Sequence, residues 1–299
     1  GSTAAPNAVP ACDDTGTVVH TAKPRRVKGS ERLVTRDLGR IGAYEVLYVS
    51  DGIEAVVSAA VSTLVITADD NVIDRIVTRS DGKRHRRTFD NGLYGMRCHT
   101  GLRGTPALEA ESMGTIRCEV PLGNGPVTVR SSEGSRIAAD IRTGDDIRVH
   151  VSGCSRFEGA LKGNNCKITV TEGSQTDTRI EASGICRVDV SASSRASGSL
   201  KAHHCALSLT EGSVADMPVT STGESTLVIS SSSRFNGALK GNNCKISVTE
   251  GSVFDAPLTC EVHGEIILDA SGHFAGDASA GNSLHIKAAN GSVMQGNAD

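Results

Sequence analysis

Aromatic side chains are scarce in this sequence, which has no Trp, three Tyr and five Phe among 299 residues. Globular cores usually depend on large aromatic side chains. A chain without them must bury many small β-branched and aliphatic groups in a regular lattice. Enzymes that process sugars also usually offer aromatic platforms to the sugar rings, so this scarcity counts against that class.

Charge of one sign and long apolar runs are lacking as well. The formal net charge is -3, and no basic excess of the kind that nucleic-acid or membrane-surface binding requires is evident. No apolar run is long enough to cross a bilayer. We therefore predict no nucleic-acid partner and no membrane span.

What the sequence does contain is an internal repeat with a period of 39. Residues 154–174 recur with few changes at 232–252, and a diverged copy lies midway, at 193–213. The triplet Glu-Gly-Ser marks the register and begins at Glu133, Glu172, Glu211 and Glu250. Four copies in register with matching flanks identify a repeat protein, in which each unit needs its neighbours to bury its apolar face.

Each repeat divides again into two units of nearly equal length. Segments such as Cys166–Val170, Cys186–Val190 and Cys205–Leu209 alternate apolar and polar residues, as half-buried strands do. A second apolar column has the same steps and runs through Leu102, Leu122, Ile141, Leu161, Ile180, Leu200, Val219, Leu239 and Leu258. Parallel strands stack about 4.8 Å apart, so these columns predict an all-β, single-stranded parallel β-helix with about 19–20 residues per coil. Parallel crossovers are overwhelmingly right-handed, and we expect that hand.

A third column holds small hydroxyl residues, which we expect at a corner of each coil. Its members are Ser174, Ser193, Ser213, Ser232, Ser252, Ser271 and Ser292, and Gly precedes most of them. Such hydroxyls can hydrogen-bond along the stack, and Gly allows the positive φ of a sharp corner.

Three regions are predicted along the chain. Residues 1–30 are rich in Ala, Pro, Thr and Gly and predict a flexible tail. Residues 31–92 lack the repeat but contain strand-like runs, and they predict a β-rich N-terminal head. Residues 93–299 form the predicted β-helix. The chain opens with Gly1-Ser2, typical of residues left by an expression vector, and we expect that a leader peptide has been removed.

The head carries a family resemblance. The stretch from Thr63 to Val77, with its acidic-Asn turn and its Val-Ile-Asp-Arg-Ile step, leads towards Gly/Ser-rich coils such as Val151–Ser155. This order resembles the bacterial "putative auto-transporter adhesin, head GIN domain" family, a domain of unknown function common in Bacteroidetes. The resemblance extends over roughly residues 33–295 and implies a β-helix, export to the cell envelope and no established catalytic residues. The chain departs from the family in its nine cysteines and in the basic run from Lys83 to Arg87.

The cysteines fall into the repeat. Cys166, Cys186, Cys205 and Cys244 share one strand position, which predicts that they stack inside the helix as small apolar groups. Nine is an odd number, so at least one thiol has no intramolecular partner. Cys98 and Cys118 lie one coil length apart in the sequence and are the candidates for a disulfide between adjacent coils.

Charged residues also recur with the period of the repeat. Arg156, Arg195 and Arg234 alternate with Asp177, Asp216 and Asp255, and this spacing predicts an exposed Arg-Asp ladder. Exposed pairs contribute only about 0–1 kcal/mol each, so we expect the ladder to set register more than stability.

No motif of nucleophilic, metal-dependent or nucleotide chemistry is present, and we predict no catalytic residues, metal site or cofactor. We expect an exported protein at the periplasm, outer-membrane surface or exterior. It would be an adhesin or surface scaffold whose partner is a protein or glycan at the cell surface, and solenoid ends or faces could form a homo-oligomer. The alternative is a polysaccharide lyase or hydrolase on a β-helix, and a groove holding two or three carboxylates beside Lys or Arg would favour it.

Overall fold

The computed structural model describes residues 29–40, 46–58, 63–81, 84–90, 96–100, 107–123 and 125–299. For residues 77–81, 84–90 and 96–100 the description is of the backbone alone. Apart from the short 3-10 helix Ile73–Arg75, all regular elements in this part of the chain are β-strands. The prediction of an all-β chain is confirmed.

The N-terminal part contains nine strands: β1 (Leu33–Arg40), β2 (Val46–Val49), β3 (Ile53–Val57), β4 (Thr63–Asp69), β5 (Val77–Asp81), β6 (Arg84–Asp90), β7 (Met96–Thr100), β8 (Ala107–Ala110) and β9 (Thr115–Cys118). The coils that follow contain β10 (Val127–Ser131), β11 (Arg136–Ala138), β12 (Ile141–Arg142), β13 (Ile147–Val151), β14 (Arg156–Gly163), β15 (Cys166–Val170), β16 (Gln175–Val190), β17 (Arg195–Leu209), β18 (Val214–Asp216), β19 (Val219–Ser221) and β20 (Glu224–Ile229). The last coils contain β21 (Arg234–Asn236), β22 (Leu239–Val248), β23 (Val253–Asp255), β24 (Leu258–Leu268), β25 (His273–Ala275), β26 (Ala278–Ala280), β27 (Ser283–Ala288) and β28 (Val293–Gln295).

The strands stack in parallel as a β-solenoid of about nine turns. A shorter and a longer step alternate along the stack, because Val151 pairs with Val170, Val170 with Val190, and Val190 with Leu209. The predicted coil length is therefore confirmed. The hand of the winding stays a prediction.

The interior is filled by the predicted apolar columns. The column from Ile141 to Leu258 stacks in register, and each of its members is at most 2% exposed. Four phenylalanines also lie inside, and three of them, Phe235, Phe254 and Phe274, stack in consecutive coils with ring centroids 5.2 and 4.6 Å apart. Burying such side chains contributes about 1.5–3 kcal/mol each, so the stack between coils carries the stability.

A sharp turn built from two successive residues of positive φ recurs from coil to coil in residues 125–299. In alternate coils the pair is Glu-Gly, as at Glu172 and Gly173 with φ of 57° and 68°. In the coils between, the pair is Gly153-Cys154, Ala192-Ser193, Ser231-Ser232 or Ala270-Ser271. Residues with a Cβ adopt the left-handed region at a cost of about 1–2 kcal/mol, which Gly avoids.

The serine after this turn forms a ladder, and its register differs from the predicted one. Backbone N–H groups donate to the serine hydroxyl of the next coil: Ser155 to Ser174 over 3.1 Å and Ser174 to Ser194 over 3.2 Å. Ser194 and Ser233 therefore belong to the column, whereas Ser193 lies in the turn and has the positive φ that Gly adopts elsewhere. The prediction placed Ser193 and Ser232 in the column and was off by one residue at both, because runs of serine there leave the register undefined.

The glutamate of the Glu-Gly turn explains why the sequence repeats over two coils. Its carboxylate reaches back to the turn of the preceding coil, where Glu172 accepts from the Gly153 N–H over 3.0 Å. Glu250 likewise accepts from the Ser231 hydroxyl over 2.6 Å. A coil with a Glu-Gly turn is thus hydrogen-bonded to a preceding coil that lacks this turn. One such pair of coils makes one full period of the sequence.

The head closes one end of the solenoid, and its coils do not stack in sequence order. The coil of β2 and β3 lies between the coil of β6 and β7 on one side and that of β8 and β9 on the other. Further strands pair in an antiparallel manner at this end: β4 pairs with β7, and β1 pairs with β4. Strand β5 likewise pairs with β6. Antiparallel strands thus cover an end that would otherwise present open edges. The division at residues 92 and 93 stays a prediction, and the predicted tail lies outside the described residues up to residue 28.

Candidate binding surface

The predicted Arg and Asp residues lie on one outward face of the solenoid. In successive coils Arg156, Gln175 and Arg195 occupy one column, and Glu158, Asp177 and Ser197 the column two residues along. Both columns continue in the later coils, with Arg234 in the first and Asp216 and Asp255 in the second. Arg and Asp therefore stand beside each other rather than on opposite faces.

Two of the predicted pairs form. Arg195 pairs with Asp216, and Arg234 pairs with Asp255, across one coil step in each case. Asn236 joins the two pairs, because its amide donates to Asp216 Oδ1 over 2.6 Å and its Oδ1 accepts from Arg234 Nε over 2.8 Å. The result is a hydrogen-bonded network from Arg195 to Asp255.

At the N-terminal end the ladder differs from the prediction. Arg156 lies 3.8 Å from Glu158 of its own strand, and no ion pair joins it to Asp177 among the described residues. The adjacent carboxylate of Glu158, absent from the sister coils, competes for Arg156. The Arg156–Asp177 step of the ladder is therefore not formed.

Lysines on a second outward face pair with glutamates. Lys162 lies 3.7 Å from Glu181, and Lys240 lies 3.7 Å from Glu261. A third face is formed by the outward residues of strands such as β13, β15 and the later parts of β16, β22 and β24. On this third face Glu265 contacts both Lys245 and Lys287, at 3.2 and 3.4 Å. These lysines lower the pKa of the Glu265 carboxyl. Most repeated charges are thus matched by their neighbours, as a stacked structure requires.

A shallow depression of about 320 Å³ lies at one corner, near the start of the coils. Asp145, Asp146, Arg148 and Asn164 line it. The Asp146 carboxylate accepts a 3.0 Å hydrogen bond from the Asn165 amide. A neighbouring depression of about 340 Å³ contains Lys162, Glu181 and Lys201. Two carboxylates beside an arginine match the pattern named above for a sugar-processing enzyme.

The cysteines stack as predicted. Cys166, Cys186 and Cys205 occupy one inward column and are at most 3% exposed, and Cys244 continues it beyond Ser225. Burial raises the pKa of Cys166 and of Cys205 to about 12. These thiols are free, as are Cys118 and Cys260. Cys154 is disulfide-bonded, and its partner lies outside the described side chains.

The predicted disulfide between Cys98 and Cys118 is wrong. Cys118 is a free thiol. Strand β3 lies between the two cysteines, because Ala55 pairs with Cys98 on one side and Val57 pairs with Cys118 on the other. Two strand spacings amount to about 9.6 Å, beyond the Cα separation that a disulfide spans.

The His203-His204 pair occupies the corner where sister coils carry Asn-Asn. His204 Nδ1 accepts from the Glu224 N–H over 3.0 Å, as Asn165 Oδ1 accepts from the Ile185 N–H over 2.9 Å. The histidine therefore performs the structural task of the asparagine. Within the described ranges, no three His, Cys, Asp or Glu side chains are grouped to hold a metal ion.

The family model of the "putative auto-transporter adhesin, head GIN domain" matches residues 43–206, more than half of the chain. The chain belongs to this family. The resemblance noted from the sequence is thereby confirmed. No curated protein matches the sequence. In the described part of the chain, no helix is long and apolar enough to span a membrane.

Solved structures of similar shape include three from the genus Parabacteroides. A putative adhesin from Parabacteroides distasonis ATCC 8503 is 12% identical, with a TM-score of 0.51 over 91% of this chain and 99% of that one. A putative adhesin from Parabacteroides merdae ATCC 43184 is 14% identical, with a TM-score of 0.47 over 91% and 98%. A putative lipid binding protein from P. distasonis is 11% identical, with a TM-score of 0.44 over 91% and 99%. At such identities the first of these supports the fold alone.

One charged column escaped the sequence reasoning. Arg148, Lys167 and Arg187 are in register in three consecutive coils on the third face and are all exposed. Arg148 and Arg187 lie one 39-residue period apart, with Lys167 between them, so the column mixes two residue types. Reading the outward positions of the strands at the coil spacing would have found them.

Proposed function

We propose that this chain is a non-enzymatic adhesin or surface scaffold of the cell envelope. Membership in the adhesin family is the observation that carries the proposal. The architecture supports it, because a solenoid exposes long flat faces whose side chains are set at regular intervals. The matched ion pairs and serine ladder hold the rod together and leave its outward columns available for contact.

Attachment assays test this function. Fluorescent beads coated with the chain are applied to glycan and protein arrays at physiological salt, with beads coated by an unrelated β-solenoid as the control. We expect specific retention on a subset of the spots. Retention no greater than that of the control beads on every spot would contradict an adhesive role.

A second candidate, a polysaccharide lyase or hydrolase, is favoured by the depression at Asp145, Asp146 and Arg148. Incubation with pectin, alginate and glycosaminoglycans, followed by size analysis, separates the two functions. A binding protein leaves the chain length of each polymer unchanged. Shortening by the natural sequence that is lost in Asp146→Asn, and kept in the Asp177→Asn control on another face, would establish the enzyme instead.

A further inference from the structure

Like charges are stacked without compensation at one place on the third face. Arg148 pairs in register with Lys167, and Lys167 with Arg187, so three cations project from adjacent strands about 4.8 Å apart. Like charges directly opposite each other destabilise a sheet. The uncharged Thr128 and Ala206 end the column below and above.

The charge of this column is not neutralised by ion pairing in the described part of the chain. None of its three cations forms an ion pair there, whereas the repeated charges elsewhere mostly do. Asp146 and Asp189 lie two residues from Arg148 and Arg187 along the chain, and Asp146 is already engaged by Asn165. The column itself is therefore locally basic, although acidic residues lie in the adjacent column and the whole chain carries a net charge of -3.

The next column on the same face carries charges of both signs, in the order Glu109, Arg130, His150, Thr169 and Asp189. Arg130 and His150 are in register there, in the coil before Arg148 and in the coil of Arg148. Burial, and then the charge of Arg130, lower the pKa of His150, so Arg130 rather than His150 supplies the positive charge of this column. Thr169 follows His150 in this column and adds a hydroxyl group.

We propose that the column of Arg148, Lys167 and Arg187 binds an acidic polysaccharide. A single small anion is usually held in a concave site, whereas these side chains repeat along a sheet face, where Arg148 alone borders a shallow depression. A linear polymer with an anionic group on successive units contacts several of them at once, and such multivalency strengthens binding. Arginine suits this task because its guanidinium pairs bidentately with carboxylate and similar oxyanions. The inference rests on the proposed adhesin function and names its ligand class.

Dextran sulfate, polygalacturonate and unmodified dextran serve as immobilised probes. The wild type is compared with the triple variant Arg148→Gln, Lys167→Gln and Arg187→Gln. The matched control removes three other exposed cations, through Arg142→Gln, Arg179→Gln and Lys201→Gln. Both variants change the net charge equally, and circular dichroism verifies that both are folded.

We expect binding to the two acidic polymers and not to dextran, weakened by added salt because exposed charges are screened. The column variant should lose at least about tenfold in affinity, and the control less than about twofold. Equal losses in both variants, or wild-type affinity in the column variant, would overturn the proposal. So would binding to vesicles of phosphatidylglycerol without binding to either acidic polymer.

The polymer-binding test of the basic column and the bead-attachment test of adhesion can fail independently of each other. If beads fail to attach to any array while the column variant alone loses dextran sulfate binding, the column is confirmed and the adhesive role fails. If beads attach equally well with wild type and column variant, and polymer binding is also unchanged, the column proposal fails and adhesion stands.

Discussion

The side-chain amide of Asn236 donates a 2.6 Å hydrogen bond to the carboxylate of Asp216 in the preceding coil. Through its own carbonyl it also accepts from Arg234, and it thus connects two ion pairs that would otherwise be isolated. Exposed pairs contribute about 0–1 kcal/mol each, and networks more than isolated pairs.

We expect Asn236→Ala to lower the free energy of unfolding by about 0.5–1.5 kcal/mol, the usual contribution of one hydrogen bond. A double-mutant cycle of Arg195→Gln with Arg234→Gln, measured by urea denaturation, should show coupling in the natural background and none in Asn236→Ala. Coupling that survives the removal of Asn236 would show that the amide does not connect the pairs.

The buried hydroxyls of Thr176 and Thr178 have no hydrogen-bond partner among the residues that the structure describes. Because an unsatisfied buried polar group costs about 1–3 kcal/mol, we expect Thr176→Val and Thr178→Val each to stabilise the fold by about 1 kcal/mol. Thr171→Val is the control, since the Thr171 hydroxyl accepts from Ser191 over 3.1 Å and its loss should not stabilise. Chemical denaturation measures all three, and a loss of stability in both buried variants would contradict this account.

The turns with Ser193 and Ser232 hold a side chain in the left-handed region, at φ of 57° and 59°. Ser193→Gly and Ser232→Gly remove a strain of about 1–2 kcal/mol but add freedom to the unfolded chain, worth about 0.4–1 kcal/mol. We expect a net stabilisation of about 0.5–1 kcal/mol for each. The reverse change, Gly212→Ser, should destabilise by a similar amount, and thermal unfolding of the three variants compares them directly.

Glu111 gives the stability a dependence on pH. Burial, and then the nearby charge of Glu133, raise the pKa of its carboxyl above the ordinary 4.5. A raised pKa in the folded state means that its favourable contribution is present below pH 4.5 and is lost as pH rises through the folded value. We therefore expect Glu111→Gln to raise Tm at pH 7 and to leave it nearly unchanged at pH 4. An equal rise at both pH values would show that the charge is not the cause.

The inward cysteines should resist modification in the folded protein. The thiolate is the reactive form, and burial raises the pKa of Cys118, Cys166 and Cys205 to about 12. At pH 8 a maleimide should label these thiols only after unfolding in guanidinium chloride, as read by mass spectrometry. Val228→Cys, at an outward position that is 40% exposed, should react in the native state. Rapid native labelling of Cys186, which is 0% exposed, would contradict the buried column.

The sequence was sufficient for the coils because a β-helix imposes equal spacing on its inward residues, so columns such as Leu161, Ile180 and Leu200 are visible without a structure. The sequence was insufficient where neighbouring residues are identical, because the spacing then does not decide which of them belongs to a column. The serines around Ser193 could be aligned in two ways, and only the backbone N–H of Ser174 selects Ser194.

The head could not be derived in the same way, because it lacks the repeat and its coils interleave. That interleaving is why Cys98 and Cys118, one coil length apart in sequence, are separated by β3. The ladder was predicted in part, since periodicity places Arg and Asp side by side but does not show that Glu158 lies near Arg156. The basic column was missed because the sequence reasoning compared identical residue types, whereas this column places Lys167 between Arg148 and Arg187.

The displaced order of the first coils constrains how the molecule is assembled. Strands β2 and β3 are synthesised before both of their neighbours, yet they are flanked by β6 and β7 on one side and by β8 and β9 on the other. This layer cannot close until residue 118 has followed, whereas each later coil needs only the one already in place. We therefore expect the slow step of folding at the capped end, whereas the later coils can start from any neighbouring pair and extend from it.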